Sequence, residues 1–512
     1  MGNNNRVSFE MSSKGRTRDF GSCNDGSNPS ISAIHGSLLI NEVRNVMNNL
    51  CVLVMAAGKG TRMKSAIPKV LQPVLDRPII DYVLDTAQSA GVNPEDTAVL
   101  AGSGGEEVEA HITKNFPSVK ILWQHEQLGT GHAVKSAIDW WKNYDSLVVL
   151  NGDLPLMKPE SLRELLSFSG KNDCTVITFE AENPGAYGRI IRSENKSSVS
   201  IVEYKDASPE QKLIREVNAG CYIFKVKPLL QIIDLISNDN AQKEYYITDA
   251  LGLMNERGMS TGAFILPEEE MQGVNTQAEL AEVCRVKRFE ILNHFMSEGV
   301  RIPDPKSVYI GSNVILSRGS VIMPNVQIWG NSRIGEGSVI GSGSILTNAI
   351  IGNNVNVIAY AVIENSTLKD NTKAGPFCYI RDGSCLEEKS FAGKFVELKN
   401  SIIGEGSKVP HLSYMGDATL GHDVNIGAGS ITCNYDGERK NKTLIGSNCF
   451  VGSNTMFVAP VELSDGAATA AGSVITQKVP ENSLGVGRAR QKNIADWSLR
   501  NHHHKTATEG EK

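Results

Sequence analysis

No stretch of this 512-residue chain reaches the roughly 18 uninterrupted apolar residues that a membrane-spanning helix needs, because Lys, Arg or Gly breaks each apolar run within a few positions. A chain that crosses the bilayer is excluded. The nine cysteines, an odd number spread from Cys23 to Cys449, include no CxxC pair, which argues against a disulfide framework and a structural zinc site. A reducing, cytoplasmic setting is implied. Neither sign of charge dominates: 51 Lys and Arg face 57 Asp and Glu, for a net charge of −6. With 40% hydrophobic residues, that balance fits neither a disordered chain nor a polybasic nucleic-acid binder. The length exceeds what one core usually holds, so at least two units are expected. Glycine alone is over-supplied, at 48 residues, and most of the excess falls after residue 300.

Residues 1–46 read as a disordered extension, because 1–30 are rich in Ser, Asn and Gly and offer too little apolar area to offset the entropy of ordering. N-myristoylation would need Ser or Thr where Arg6 stands. A secretory signal would need an apolar core, but 31–40 is broken by Ser32, His35, Gly36 and Ser37. Glu10, Asp19 and Asp25 weaken a transit-peptide reading. Met47 stands just before the first clear strand, so a start site placed too far upstream is the simplest alternative.

The run Leu50-Cys51-Val52-Leu53-Val54-Met55 is continuous and apolar, as expected of a strand buried on both faces of a parallel sheet. It opens into Ala56-Ala57-Gly58-Lys59-Gly60-Thr61-Arg62-Met63. Such a loop can wrap phosphates with bare N–H groups while Lys59 and Arg62 supply charge. It is also the form of an ordinary strand-to-helix turn, since neither GxxxxGK[ST] nor GxGxxG is present. Pro68-Lys69-Val70-Leu71 adds a further cation ahead of a helix expected over 79–88. Strands at 98–101, 119–123 and 147–150, with a helix at 131–140, give α/β order. Asn151-Gly152-Asp153 then puts a carboxylate at the C-terminal end of a strand, where open α/β sheets bind ligands. Asp153 reads either as a Mg²⁺ ligand between phosphates or as a turn carboxylate.

After residue 300 the period changes. Ile310, Leu316, Ile322, Ile328, Ile334, Ile340 and Leu346 recur at a spacing of six, which suits neither a helix nor an alternating strand and marks a hexapeptide β-helix. A second phase resumes at Ile351, Val357 and Ile363, and the pattern returns at Ile403, Leu420, Ile426, Ile445 and Val451, interrupted near 432–444. About eighteen residues per coil gives roughly ten coils over 308–485. A helical segment over 277–297 would link the halves. Arg381, Lys399 and the run His411-Leu412-Ser413-Tyr414 lie about one coil apart, so cations and an imidazole can gather on one surface. A β-helix serving assembly alone, with a structural His411, is the other reading.

Several blocks now converge: the run from Met55 to Met63, Pro68-Lys69-Val70-Leu71, Gln124-His125-Glu126-Gln127-Leu128-Gly129-Thr130-Gly131-His132-Ala133, Asn151-Gly152-Asp153, Ala186-Tyr187-Gly188-Arg189-Ile190, Glu203-Tyr204-Lys205, Glu216-Val217-Asn218-Ala219-Gly220, Glu244-Tyr245-Tyr246-Ile247-Thr248-Asp249, Gly273-Val274-Asn275 and Thr432-Cys433-Asn434-Tyr435-Asp436-Gly437. In this order they closely resemble the bacterial bifunctional N-acetylglucosamine-1-phosphate uridylyltransferase / glucosamine-1-phosphate N-acetyltransferase family, over about residues 50–500. The resemblance implies a Rossmann-like α/β nucleotidyltransferase domain with a mostly parallel sheet, then a left-handed parallel β-helix of hexapeptide repeats. It divides the chain into 47–276, a linker at 277–300, the β-helix at 301–490 and a tail at 491–512. In the family Met55, Ala56, Ala57, Gly58, Lys69, Gln124, Gly129, Thr130, Asn151, Gly152, Asp153, Gly188, Glu203, Asn218 and Asn275 would hold UTP and sugar, with Asp153 and Asn275 on Mg²⁺ and Arg62 and Lys69 offsetting phosphate charge. Arg381, Lys399, Tyr414, Asn425 and Lys440 would hold the amino-sugar phosphate, with His411 as general base oriented by Glu397. Ala428, Asn434, Tyr435, Ser453, Ala471 and Arg488 would line the acetyl-CoA site, with Asn434 or the Tyr435 N–H as donor to the oxyanion. Tyr379, Asp382 and Pro410 depart from the family pattern, and Asp382 would weaken the grip of Arg381 on phosphate.

The implied product, UDP-N-acetylglucosamine, feeds peptidoglycan and cell-wall synthesis. A homotrimer with acetyl-CoA sites between subunits is also implied, with no nucleic acid or membrane partner. The chemistry is consistent with this set. Uridylyl transfer brings two anions together and needs cations more than a nucleophile, whereas acetyl transfer to an amine needs a base such as imidazole. The alternatives are a monofunctional uridylyltransferase with a structural β-helix, and a non-enzymatic scaffold. Intact Lys69, Asp153 and Asn275 count against the scaffold, and intact Glu397, Lys399, His411 and Asn434 against the monofunctional enzyme.

Overall fold

A computed structural model of the protein describes residues 49–497, apart from 59, 103, 194–197 and 241. The readings placed on residues 1–46 and on Lys59, and the part of the 491–512 tail after residue 497, lie outside the described residues.

Strand Leu50–Ala56 has no polar side chain to solvate, and its residues divide between two cores. Val52 and Val54 pack with Ile80, Leu84 and Ile112 on one face of the sheet; Cys51 and Leu53 pack with Trp141, Leu229 and Leu251 on the other. The sheet runs Thr261–Ile265, Cys174–Glu180, Glu216–Lys225, Ser146–Asn151, Leu50–Ala56, Thr97–Gly102, Lys120–Gln124. In that path only Glu216–Lys225 runs antiparallel to its neighbours. Met55 pairs with Asn151, so two strand ends emerge side by side and fix where a ligand can sit.

The helix expected over 131–140 is two helices, Thr130–Ser136 and Ile138–Trp141, separated by Ala137 at φ −96° and ψ 5°. Trp141 Nε1 donates to the Val134 carbonyl at 2.8 Å, the acceptor that the Ile138 N–H would use in an unbroken helix. Burial of the indole thus sets the break.

Helix Gln277–Ser297 opens with a capping box: Glu279 N–H donates to Thr276 Oγ1 at 3.2 Å, and Thr276 N–H to the Glu279 carboxylate at 2.9 Å. Asp76 of the first half accepts from Ser312 N–H and Oγ–H of the second, at 3.2 and 3.3 Å. The Arg288 guanidinium lies 4.5 Å from the Tyr309 ring centroid.

From Tyr309–Ile310 to Leu484–Gly485 the chain forms a left-handed parallel β-helix whose short strands make three sheets of 10, 9 and 10 strands. The aliphatics spaced by six, from Ile310 to Leu346, are all buried in one continuous core. The change of phase at Ile351 is a shortened coil: Ile310 pairs with Ile328, but Ile334 pairs with Ile351, one residue sooner. Between Asn434 and Asn441 the chain leaves the coil, and Asn441 N–H closes this loop on the Asn434 carbonyl at 2.7 Å. Along one corner Tyr360, Phe377 and Phe395 hold positive φ and stack at 5.2 and 5.5 Å, with about half of each side chain exposed.

Candidate active sites

A cleft of about 470 Å³ opens at the C-terminal ends of Leu50–Ala56 and Ser146–Asn151. Met55, Ala56, Ala57 and Gly58 line it with Gln124, Gly129 and Thr130, and so do Lys69, Asn151 and Asp153. A chamber of about 120 Å³ shares Met55, Thr130 and Asn151 and adds Glu203 and Asn218. Gly152 lies against the first strand; its N–H donates to the Met55 carbonyl at 3.0 Å, and a Cβ there would stand 2.8 Å from that oxygen. The Gly188 carbonyl accepts from Asn218 N–H at 2.9 Å, and a Cβ at Gly188 would stand 3.5 Å from the Glu203 carboxylate.

The charges of the cleft meet at one point. Lys69 Nζ is ion-paired with Asp153 and donates to Asn275 Oδ1 at 3.2 Å, while Arg62 Nη2 donates to the same Asn275 oxygen at 2.9 Å. Two hard oxygen donors, one of them charged, suit Mg²⁺, which takes one or two protein oxygens and completes its shell with substrate oxygens and water. Among the described residues no group of three or more His, Cys, Asp or Glu could cage a metal alone. In the chamber, burial raises the Glu203 carboxyl above its ordinary value, opposed by a hydrogen bond from Thr248 Oγ1 at 3.3 Å and reinforced by Asp249 and Asp206.

Sequence reasoning passed over four polar side chains of this region. Gln127 and Glu244 line the cleft, and Tyr222 and Thr248 the chamber. Gln127 Nε2 donates to the Ala57 carbonyl at 2.5 Å and so steadies the loop between the strand and Gly58. Gln127, Glu244 and Thr248 all lie inside motif blocks that were legible, but nothing in one sequence separates them from their neighbours.

In the β-helix, strands Tyr379–Arg381, Glu397–Lys399 and Tyr414–Gly416 stack so that Arg381 pairs with Lys399 and Glu397 with Tyr414. Arg381 Nε and Nη2 donate to Glu397 Oε1 at 3.0 and 2.7 Å, and Nη1 donates to Asp382 at 2.8 Å. Tyr379 lies under the same guanidinium at 5.3 Å and donates its hydroxyl to Glu364 at 2.7 Å. Two of the three departures therefore bear on Arg381. The third, Pro410, sits in strand Lys408–His411, where its carbonyl approaches Gly393 too closely for any Cβ.

Lys440, carried by the excursion loop, stands against Lys399. Its ammonium pushes Lys399 below the ordinary lysine range, with partial desolvation and then Arg381 adding to the effect. His411 ends its strand with its side chain exposed, and its carbonyl accepts from Ser413 Oγ at 2.7 Å. The orienting contact expected from Glu397 is not made: its Oε1 accepts twice from Arg381, and strand register sets His411 beside Lys394 and Tyr414 beside Glu397.

The residues expected around acetyl-CoA follow one corner. Gly429 N–H donates to the His411 carbonyl at 3.4 Å, Asn454 N–H to Ala428 at 2.7 Å, and Gly472 N–H to Ser453 at 2.8 Å, so His411, Ala428, Ser453 and Ala471 succeed one another coil by coil. Arg488 follows Gly487, whose N–H donates to Ser473 Oγ at 3.2 Å. Tyr435 begins the excursion loop and is exposed, Asn434 is buried at its base, and Asn425 pairs with Lys408 one coil back.

Comparison with known proteins accords with this geometry. Residues 52–217 match the family model of the MobA-like NTP transferase domain. Residues 313–348 match the bacterial transferase hexapeptide (six repeats), and 442–477 the hexapeptide repeat of succinyl-transferase. The bifunctional protein GlmU of Thermosipho africanus (strain TCF52B) is 45% identical over 450 residues, covering 88% of this chain and 97% of that protein. That of Caldanaerobacter subterraneus subsp. tengcongensis is 43% identical over 453 residues, covering 88% and 98%. That of Clostridium novyi (strain NT) is 41% identical over 450 residues, covering 87% and 97%. With a nucleotidyltransferase cleft and a hexapeptide β-helix in one polypeptide, the chain belongs to the bifunctional GlmU family.

Proposed function

We propose that the protein makes UDP-N-acetylglucosamine in two steps, acetylating glucosamine-1-phosphate in the β-helix and then transferring uridylyl from UTP to N-acetylglucosamine-1-phosphate in the α/β half. The observation that carries this is two separate cation clusters in one chain: Arg62 and Lys69 with Asp153 and Asn275, and Arg381, Lys399 and Lys440 within the coils that bear His411. A monofunctional uridylyltransferase would have no use for the second.

In the cleft, the loop from Met55 to Gly58 with Gln124, Gly129 and Thr130 would surround the uridine, while Gly188, Glu203 and Asn218 would hold the sugar in the chamber. Asp153 and Asn275 would hold Mg²⁺, which when bound neutralises triphosphate charge. Lys69 and Arg62 would shield the sugar phosphate as its oxygen attacks the α-phosphorus and pyrophosphate leaves; no protein nucleophile is required. In the β-helix, Arg381, Lys399 and Lys440 would grip the phosphate with Tyr414 and Asn425 nearby, and His411 would take the proton from the attacking amine. Ala428, Asn434, Tyr435, Ser453, Ala471 and Arg488 would receive acetyl-CoA. Glu397 supports this site through Arg381.

We place the domain boundaries at 276 and 300, and the protein in the cytoplasm. A homotrimer is supported by the exposed ridge of Tyr360, Phe377 and Phe395, since a solenoid with stacked apolar side chains on one corner buries them well against further copies.

The test is a paired assay on the full chain. Thiol release from acetyl-CoA should require glucosamine-1-phosphate, and pyrophosphate release from UTP should require N-acetylglucosamine-1-phosphate. Pyrophosphate release without thiol release would establish the monofunctional alternative.

A further inference from the structure

Asp417 received no role from the sequence, although it lies three residues beyond the His411–Tyr414 run. Its backbone is held at φ 50°, a conformation that Asp and Asn tolerate better than most residues. Asp417 N–H donates to the Lys399 carbonyl at 3.0 Å, and its own carbonyl accepts from Thr443 N–H at 3.2 Å, so the residue is clamped between successive coils. Both carboxylate oxygens are in use. Asn400 Nδ2 donates to Oδ1 and Asn434 Nδ2 to Oδ2, each at 2.6 Å, short as charge-assisted hydrogen bonds are.

The bond to Asn400 has counterparts elsewhere in the solenoid. Asn348 donates to Asn365, and Asn353 to Asp370, each one coil apart, so that part of the arrangement is a structural rung. The bond to Asn434 is different because Asn434 is a residue of the acetyl-CoA site proposed above. We propose that Asp417 is a positioning residue for acetyl transfer, orienting the Asn434 amide and steadying the loop that delivers Lys440. This rests on the acetyltransferase reading of the β-helix.

An amide carries its acceptor and its donors on opposite prongs. Committing one Nδ2 hydrogen to a carboxylate therefore fixes which way the group faces and leaves Oδ1 as an acceptor and the second Nδ2 hydrogen as a donor. Asn434 is 7% exposed, so the surrounding packing limits its freedom to escape this choice. Gly416 makes the approach possible, since a Cβ there would stand 2.7 Å from Asn434 Nδ2. The same asparagine anchors the excursion loop. Asn441 N–H donates to its carbonyl at 2.7 Å, and a Tyr435–Lys440 bridge returns Lys440 to the coil. Lys440 stands beside Lys399, and its ammonium is held above the ordinary lysine range first by the Lys399 side chain and then by the negative charge of Asp417. One carboxylate thus holds an amide of the acyl site by a hydrogen bond and favours a cation of the phosphate site by its charge.

Asp417→Asn tests this with little change of volume, because an amide offers one acceptor oxygen to two amide donors and one of the two bonds must fail. Acetyl transfer should lose about 10–100-fold in kcat, with a several-fold rise in KM for glucosamine-1-phosphate. Uridylyl transfer by the same sample should stay at the parent rate and reports that the chain is folded. The deciding measurement pairs the variant with Asn434→Ala: if Asp417 acts through Asn434, the double variant should be no slower than Asn434→Ala alone. Asn400→Ala, which removes only the structural rung, should leave acetyl transfer within about threefold of the parent. Additive losses in the double variant, or Asp417→Asn acetylating within twofold of the parent, would overturn the proposal. A parent protein without acetyl transfer would overturn the reading beneath it instead.

Discussion

Lys69 and Asp153 form an ion pair in the nucleotide cleft, with side chains only 17% and 15% exposed, and Asn275 shares the same ammonium. A cation already lies against the carboxylate that the proposed chemistry would give to a metal. Each group gives the other a partner in a partly desolvated place, where an unpaired charge would be costly. On the proposed reading, substrate phosphate oxygens would take over Lys69 and leave Asp153 free to hold Mg²⁺.

Asp153→Ala should therefore reduce uridylyl transfer below about one thousandth of the parent rate at any practical Mg²⁺ concentration, while acetyl transfer continues. Pyrophosphate and thiol release, measured on one preparation, separate the two. Chelation of divalent ions should do the same, reversibly. Uridylyl transfer that survived Asp153→Ala would place the metal elsewhere.

The two lysines of the β-helix make a statement about pH. Lys399 is held below the ordinary lysine range by Lys440, so it sheds its proton at a lower pH than an isolated lysine would. The apparent affinity for glucosamine-1-phosphate should accordingly fall on the alkaline side before ordinary lysines titrate. Removing the neighbour with Lys440→Met should move that limb to higher pH, although it weakens binding at neutral pH. A limb that does not move would show that Lys399 does not carry the phosphate.

Much of the architecture was legible because burial repeats. The apolar strand at Leu50 and the aliphatics six apart from Ile310 to Leu346 announce a two-faced sheet and a solenoid, and both are present. The break at Ala137 was not legible, because it depends on a hydrogen bond from Trp141 back across the turn to Val134. The pairing of Arg381 with Glu397 was missed for a related reason: residues 16 apart become neighbours only when coils stack. Gln127 sat inside a visible motif and Asp417 just beyond the His411–Tyr414 run, but which partner each one meets is a property of three dimensions.

Ile380 offers a test of how the solenoid core supports its surface. It is fully buried, pairs with Ile363 and Leu398 in the neighbouring coils, and lies between Tyr379 and Arg381. Ile380→Ala should cost about 2–5 kcal/mol of local stability. Its consequence should be selective: on heating, acetyl transfer should fail several degrees earlier than in the parent while uridylyl transfer holds. Loss of both activities together would mean that the halves unfold as one unit.

His411 and Glu397 give the sharpest test, because the geometry separates roles that the family resemblance joins. His411→Ala removes the proposed base and leaves Arg381, Lys399 and Lys440 in place, so acetyl transfer should fall by about 10²–10⁴ in kcat with little change in KM for glucosamine-1-phosphate. Raising the pH should restore part of that loss, since more of the substrate amine is then already neutral. Glu397→Gln should behave differently, because its carboxylate serves Arg381 and not the imidazole. It should chiefly raise KM, and higher pH should not rescue it. Both variants should uridylylate supplied N-acetylglucosamine-1-phosphate at the parent rate. If Glu397→Gln instead reproduced the kcat loss and the pH rescue of His411→Ala, the carboxylate would be acting on the histidine in the working enzyme, and the strand register that holds them apart here would have to give way during catalysis.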